Sequence, residues 1–139
     1  RAAPFHAAAG DPERFRALMR DFIAARMTDP KEAEIFAARA ARSDPRATGD
    51  YVVEMLSADL RPDLPKLAAP VLALVSVDSY LAGRSEPDIR AFYAALLAGA
   101  PRAFLHLVRG ARHFMAQDRP DVVGAAIEAF VAGLEHARA

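Results

Sequence analysis

The 139-residue chain contains no cysteine and no tryptophan. The first absence excludes disulfides, thiolate nucleophiles and cysteine-based zinc sites. Net charge is missing too, because 18 Lys and Arg balance 18 Asp and Glu. Without an excess of one sign, no long-range field gathers nucleic acid or an anionic membrane surface. Sixteen of the bases are Arg, scattered and interleaved with acids as on solvated helix faces. No apolar run approaches the ~20 residues that cross a bilayer. Glycine-rich phosphate loops are absent, so nucleotide binding has no support. Four scattered histidines give no metal-ligand spacing. The expectation is therefore no cofactor, no metal, no nucleic-acid partner and no membrane partner.

What is present is a foldable chain in two contrasting halves. At 53% hydrophobic and 26% charged, it has the balance of a globular domain. Residues 1–60 read as helices and loops. "DPERFRALMRDFIAARMTD" places Phe15, Leu18, Met19, Phe22 and Ile23 along one helical face. Asp11 followed by Pro12 forms a helix start, and the device recurs at Asp29-Pro30 and Asp44-Pro45. Three short helices are expected. Their spacing assigns Met19, Phe22, Met27, Phe36 and Met55 to packing between helices rather than to a substrate surface. "LRPDLPKLAAP" then ends the helical series, and residues 61–69 read as a Pro-rich linker.

Residues 70–139 change character. "VLALVSV" (71–77) is the continuous apolar run of a strand covered on both faces. A helix follows in "EPDIRAFYAALLAGA", a second strand in "RAFLHLVRG", and a closing helix in "RPDVVGAAIEAFVAGLEHA". The order predicts an α/β fold with two parallel strands joined by a right-handed crossover. Two such strands are not a stable sheet, and their edges expose unpaired backbone groups. Further strands are expected from another polypeptide or from a region upstream.

Two stretches carry more specific information. "DLRPDLPKLAAPVLALVSVD" enters the first strand, and "GAPRAFLHLVRGARHFMAQDRPDVVGAAIEAFV" closes the chain. Together they resemble the C-terminal half of an α/β-hydrolase, and the resemblance covers nearly the whole chain. It implies that residues 1–60 are the helical lid and residues 70–139 the last two parallel strands and helices of the core. A partner N-terminal chain would complete the sheet. The start at Arg1, where a lid would begin, raises the expectation of a cleaved or autoprocessed enzyme whose halves stay associated.

In that family the triad runs nucleophile, acid, histidine along the chain, with the histidine on the loop after the last strand. His113 stands in that place, three residues past Gly110 in "GARHF". Its near-neutral pKa suits a proton shuttle between nucleophile and leaving group. Asp78, where "VLALVSVD" leaves its strand, is the local candidate for the orienting acid. The family wording puts glycine after the strand and the acid three residues later. Here Ser76 stands for that glycine and Ser79 for the acid, so Asp78 comes one residue early. An acid on the preceding strand, outside this chain, is the alternative. Asp88, beside Pro87, reads instead as a charge complementing a helix N-terminus. His106 reads as a packed or edge-exposed strand residue.

The nucleophile elbow Gly-x-Ser-x-Gly does not occur. The resemblance thus implies half an active site, its nucleophile and oxyanion hole lying on the N-terminal half. Phe114, Met115 and Tyr80 are candidates to line a pocket for a small apolar ester-like substrate, with core packing as their other reading. A missing Asp nucleophile would imply dehalogenase or epoxide chemistry, and a hydrolase-like module without catalysis is the alternative from another class.

Overall fold

The structure is a computed structural model that describes residues 3–136. The chain divides into two compact units, 1–59 and 60–139. It is a mixed α/β protein, mostly helical, with a small parallel sheet.

The first unit holds four helices: α1 (Ala3–Ala7), α2 (Pro12–Ala24), α3 (Pro30–Ala40) and α4 (Pro45–Ser57). The last three begin at the Asp-Pro pairs. Asp11 accepts the Arg14 N–H at 3.0 Å, Asp29 those of Lys31 and Glu32 at 2.8 and 3.3 Å, and Asp44 that of Ala47 at 2.8 Å. Each cap satisfies N–H groups that a helix start leaves open, and the proline at the first position has no N–H to lose. The shorter α1 has no such signal in sequence; packing supports it. Phe5 and Ala8 are buried with Phe15 and Met19 in one cluster, bordered by Leu18, Phe22 and Val52. The α3 helix meets α2 and buries two alanines one turn apart, Ala33 and Ala37.

Four of the five residues assigned to helix packing are covered at least in part. Met19 and Met27 are buried, and Phe22 and Phe36 half-buried. Met55 is the exception, at 53% exposure. Its helix is apolar over a broad arc, of which α1 covers only the stretch around Gly49 and Val52. Tyr51, Val53 and Leu56 are exposed beside Met55.

The second unit runs as a 3-10 helix (Arg61–Lys66), β1 (Val71–Ser76), α5 (Glu86–Leu96), β2 (Ala103–Val108), α6 (Met115–Asp118) and α7 (Pro120–His136). The segment 61–69 is more ordered than a plain linker. Pro62 presets the backbone of its first turn, Lys66 pairs with Asp63, and Leu64 and Pro65 sit against Gly99 just past α5.

The strands pair in parallel, from Val71 opposite Ala103 to Ser76 opposite Val108. That register sorts the side chains. Val75 and Leu107 point to one face and close on Ile89 of α5, with Val77, Leu81, Tyr93 and Leu105 around them. On the other face the Phe104 and Phe130 rings meet edge-on at 5.6 Å, so α7 lies over that side. The cover is thin. A cleft of about 660 Å³ runs between sheet and helix, lined by Leu72, Phe104, His106, Val122, Ala126 and Phe130. His106 is exposed there. The apolar α7 buries no residue, and Ile127 and Val131 stay nearly half exposed. Among the described residues each strand has a single partner, so each keeps one open edge.

Removing the Phe15 ring, which is 1% exposed, is expected to cost about 3–5 kcal/mol of stability. Asp29→Ala, which deletes a cap serving two N–H groups, should cost about 1 kcal/mol. Urea unfolding of both variants measures the two effects and their order.

Candidate active site

Parallel pairing brings the carboxyl ends of β1 and β2 to one rim. There the loop that leaves β1 meets the loop that leaves β2. The Asp78 carboxylate accepts the backbone N–H of Gly110 through Oδ2 at 2.9 Å. Beside it, the Ser76 hydroxyl donates to the Ala111 carbonyl at 2.6 Å and accepts the Asp78 N–H at 3.1 Å. Ser76 is the one buried polar side chain among the described residues, and it is fully engaged. A glycine there would leave the Ala111 carbonyl, itself inside the protein, without this donor.

The β2 loop turns at Gly110, whose φ of +68° is a left-handed conformation that a side chain disfavours. Space matters as well, since a Cβ on Gly110 would stand 3.2 Å from Arg119 Nη1. That nitrogen donates to the Arg109 carbonyl at 3.3 Å, while the rest of the Arg119 fork grips Asp121 at 3.1 and 2.9 Å. Asp118 Oδ2 accepts the Arg112 N–H at 2.7 Å.

His113 comes next and is exposed. Its ring stands edge-on to Phe114 at 5.4 Å. Among the described residues no hydrogen bond joins the imidazole to Asp78, although Asp78 Oδ1 is unengaged. Of the expected site residues, the fold therefore brings Asp78 to the His113 loop without bonding the two side chains. Phe114 and Met115 follow at the start of α6 and are half-buried, so they combine packing with some open surface. Tyr80 is 66% exposed on the loop after β1. It lies near Tyr93, whose hydroxyl pKa is pushed up by burial first and by Tyr80 second. Among the described residues no hydrogen bond or ring contact ties Tyr80 to the His113 loop.

Asp88 lies at the start of α5 as expected. There Ser85 Oγ donates to its carboxylate at 2.6 Å and accepts its N–H at 3.3 Å. Sequence reasoning missed Asp118 and Arg119 at the rim, and saw Ser76 only as a departure from a family glycine. An acid five residues after His113 and just ahead of Arg119-Pro120 was the available signal for the first two.

The Arg109 guanidinium leaves the loop outward and grips Glu86 through two bonds of 2.5 Å. This bonding holds the Glu86 carboxyl below its usual pKa, outweighing the opposing cost of partial desolvation. The pair adds stability above the ordinary carboxylate pKa and loses it as pH falls through the lowered, folded-state value. Among the described residues no group of three His, Asp or Glu is placed to hold a metal ion. No helix among the described residues is long and apolar enough to cross a membrane.

No protein-family model, no curated protein and no solved structure matches this chain.

Two outcomes are expected from the rim. Gly110→Ala should cost about 1–2 kcal/mol for its left-handed backbone and move the amide resonances of residues 109–113, as read by thermal unfolding and NMR. In Arg109→Gln, the Glu86 carboxyl should titrate at a higher pH than in the parent chain, as read by carboxyl-carbon NMR.

Proposed function

We propose that this chain forms the lid and last strands of an α/β-hydrolase that cleaves an ester or related acyl bond. His113 is the proton shuttle and Asp78 the carboxylate that orients it. The nucleophile and oxyanion hole belong to an N-terminal polypeptide whose strands continue the sheet past the open edge of β1. The observation that carries this reading is the bond from the Gly110 N–H to Asp78. It joins the two loops on which a hydrolase would hold its acid and its histidine. The half-covered β1 residues and the apolar flank of α7 at Ile127 and Val131 support a wider sheet.

The chemistry follows from what each group can do. His113 accepts the proton of an attacking hydroxyl, then returns it to the departing alkoxide, and repeats the exchange with water to free the acid. Asp78 Oδ1 accepts the proton-bearing Nδ1 of that ring, which fixes the tautomer and stabilises the imidazolium. Phe114, Met115 and Tyr80, each with some open surface, suit a small-to-medium apolar acyl substrate. A non-catalytic binding module is the second reading, and the missing bond between His113 and Asp78 favours it.

The test is turnover of short-chain p-nitrophenyl esters by the chain assembled with its N-terminal half. His113→Ala should lower kcat by about 10⁴-fold. Asp78→Asn keeps an oxygen for the Gly110 N–H while removing the charge, so a similar loss identifies the charge as the working feature. Equal turnover by parent and His113→Ala would remove the assigned role. Undiminished turnover in Asp78→Asn would move the acid to the other polypeptide.

A further inference from the structure

We infer that Ser76, Asp118 and Arg119 are positioning residues that, together with Asp78, clamp the backbone of Arg109–Arg112 and so fix where His113 stands. Its catalytic consequence rests on the hydrolase reading above; its geometry does not. Every residue of this four-residue segment is held by a side chain from elsewhere. Arg119 donates to the Arg109 carbonyl, Gly110 donates to Asp78, Ser76 donates to the Ala111 carbonyl, and Arg112 donates to Asp118. The holding side chains come from the end of β1, the loop beyond it, the end of α6 and the entry to α7.

Arg109, Gly110 and Arg112 are exposed, so water would satisfy their backbone groups equally well. Their bonds therefore do not repair a burial cost; they restrict the number of shapes the loop adopts. Ala111 is different, because it is fully buried and its carbonyl depends on the Ser76 hydroxyl. Ser76 also holds the backbone N–H of Asp78, so one hydroxyl ties both loops to the end of β1. Immediately past this fixed segment, His113 is exposed and its imidazole makes no hydrogen bond among the described residues. Such a ring stands one residue beyond the last clamped group, so its position is left to the Arg112–His113 link and its own side-chain torsions. That is the arrangement an acid–base group requires, since about 0.5 Å of tolerance separates a working constellation from a loose one.

The experiment uses the full-length gene product, with two measurements on each variant: amide hydrogen exchange at Gly110 and Arg112, and steady-state turnover of p-nitrophenyl acetate. In the parent, both amides should exchange at least tenfold more slowly than those of an unclamped exposed loop. Ser76→Ala should speed exchange at Gly110 and lower kcat by about 10- to 100-fold, the scale of a ~1 Å misplacement, with KM within twofold. Ser76→Thr, which keeps the hydroxyl, should recover most of kcat. Because Ser76 is buried, Asp118→Ala and Asp118→Asn provide a second pair on the rim: Ala should release the Arg112 amide and lower kcat, and Asn should restore both. Fast exchange in the parent, or Ala variants with unchanged kcat, would overturn the clamp. A parent with protected amides and no ester turnover would instead overturn the hydrolase reading and its catalytic consequence, leaving the loop's fixed shape in place.

Discussion

Parallel pairing of two six-residue strands in matched register is the constraint on which the second unit depends. Antiparallel strands would send the residues after Ser76 and after Val108 to opposite ends of the sheet. Parallel strands send them to the same end, separated by little more than the ~4.8 Å between neighbours. Only then can a hydroxyl on the first strand reach a carbonyl beyond the second, and a carboxylate in one loop take an N–H from the other. The crossover through α5 is what parallel pairing demands, and the Val75–Ile89–Leu107 cluster beneath it holds the strands in register. Packing and site geometry are thus linked, because a slip of one residue would turn Ser76 to the opposite face.

The same sheet shows where stabilising interactions are thin. A strand apolar on both faces, such as Val71–Val75, is the type that parallel sheets cover with helices on either side. Here those residues are only half-buried up to Leu74, and a cleft opens beside the Phe104–Phe130 contact between sheet and α7. On the same helix Ile127 and Val131 stay nearly half exposed. Each exposed methylene withholds roughly 0.8 kcal/mol that burial would supply.

How much of this was legible in sequence varies with the range of the interaction. The three Asp-Pro helix starts are local: cap and capped N–H lie two or three residues apart, and all three hold. Both strands were legible from apolar runs, and their parallel pairing from the helix between them. The α1 helix has no Asp-Pro start in the sequence, and Phe5 supports it through partners beyond its own helix. Met55 has the spacing of a packed residue yet lies open, because periodicity states which face is apolar and not whether anything covers it. The rim was least legible. Ser76 meets Ala111 across 35 positions, and Asp78 meets Gly110 across 32. Nothing in the local wording of "VSVD" marks either residue as a tether. Reading Ser76 only as a departure from a glycine pattern passed over the hydroxyl that explains its presence.

The contrast between the His113 backbone and its side chain bears most directly on function. A surface loop that needs only solubility has no use for four side-chain bonds on four consecutive residues, since each costs side-chain entropy to form. A histidine kept for packing would have its ring covered, and a structural one would have at least one ring nitrogen bonded. His113 has neither, on a backbone held at every step before it. On the proposed hydrolase reading, such an unengaged imidazole would meet a hydroxyl from added strands through one ring nitrogen and the open oxygen of Asp78, from this chain, through the other. On that reading the open strand edge and the open imidazole share one explanation. Strands added beside β1 would bring the loops at their own carboxyl ends to this same rim, where such groups gather in parallel sheets.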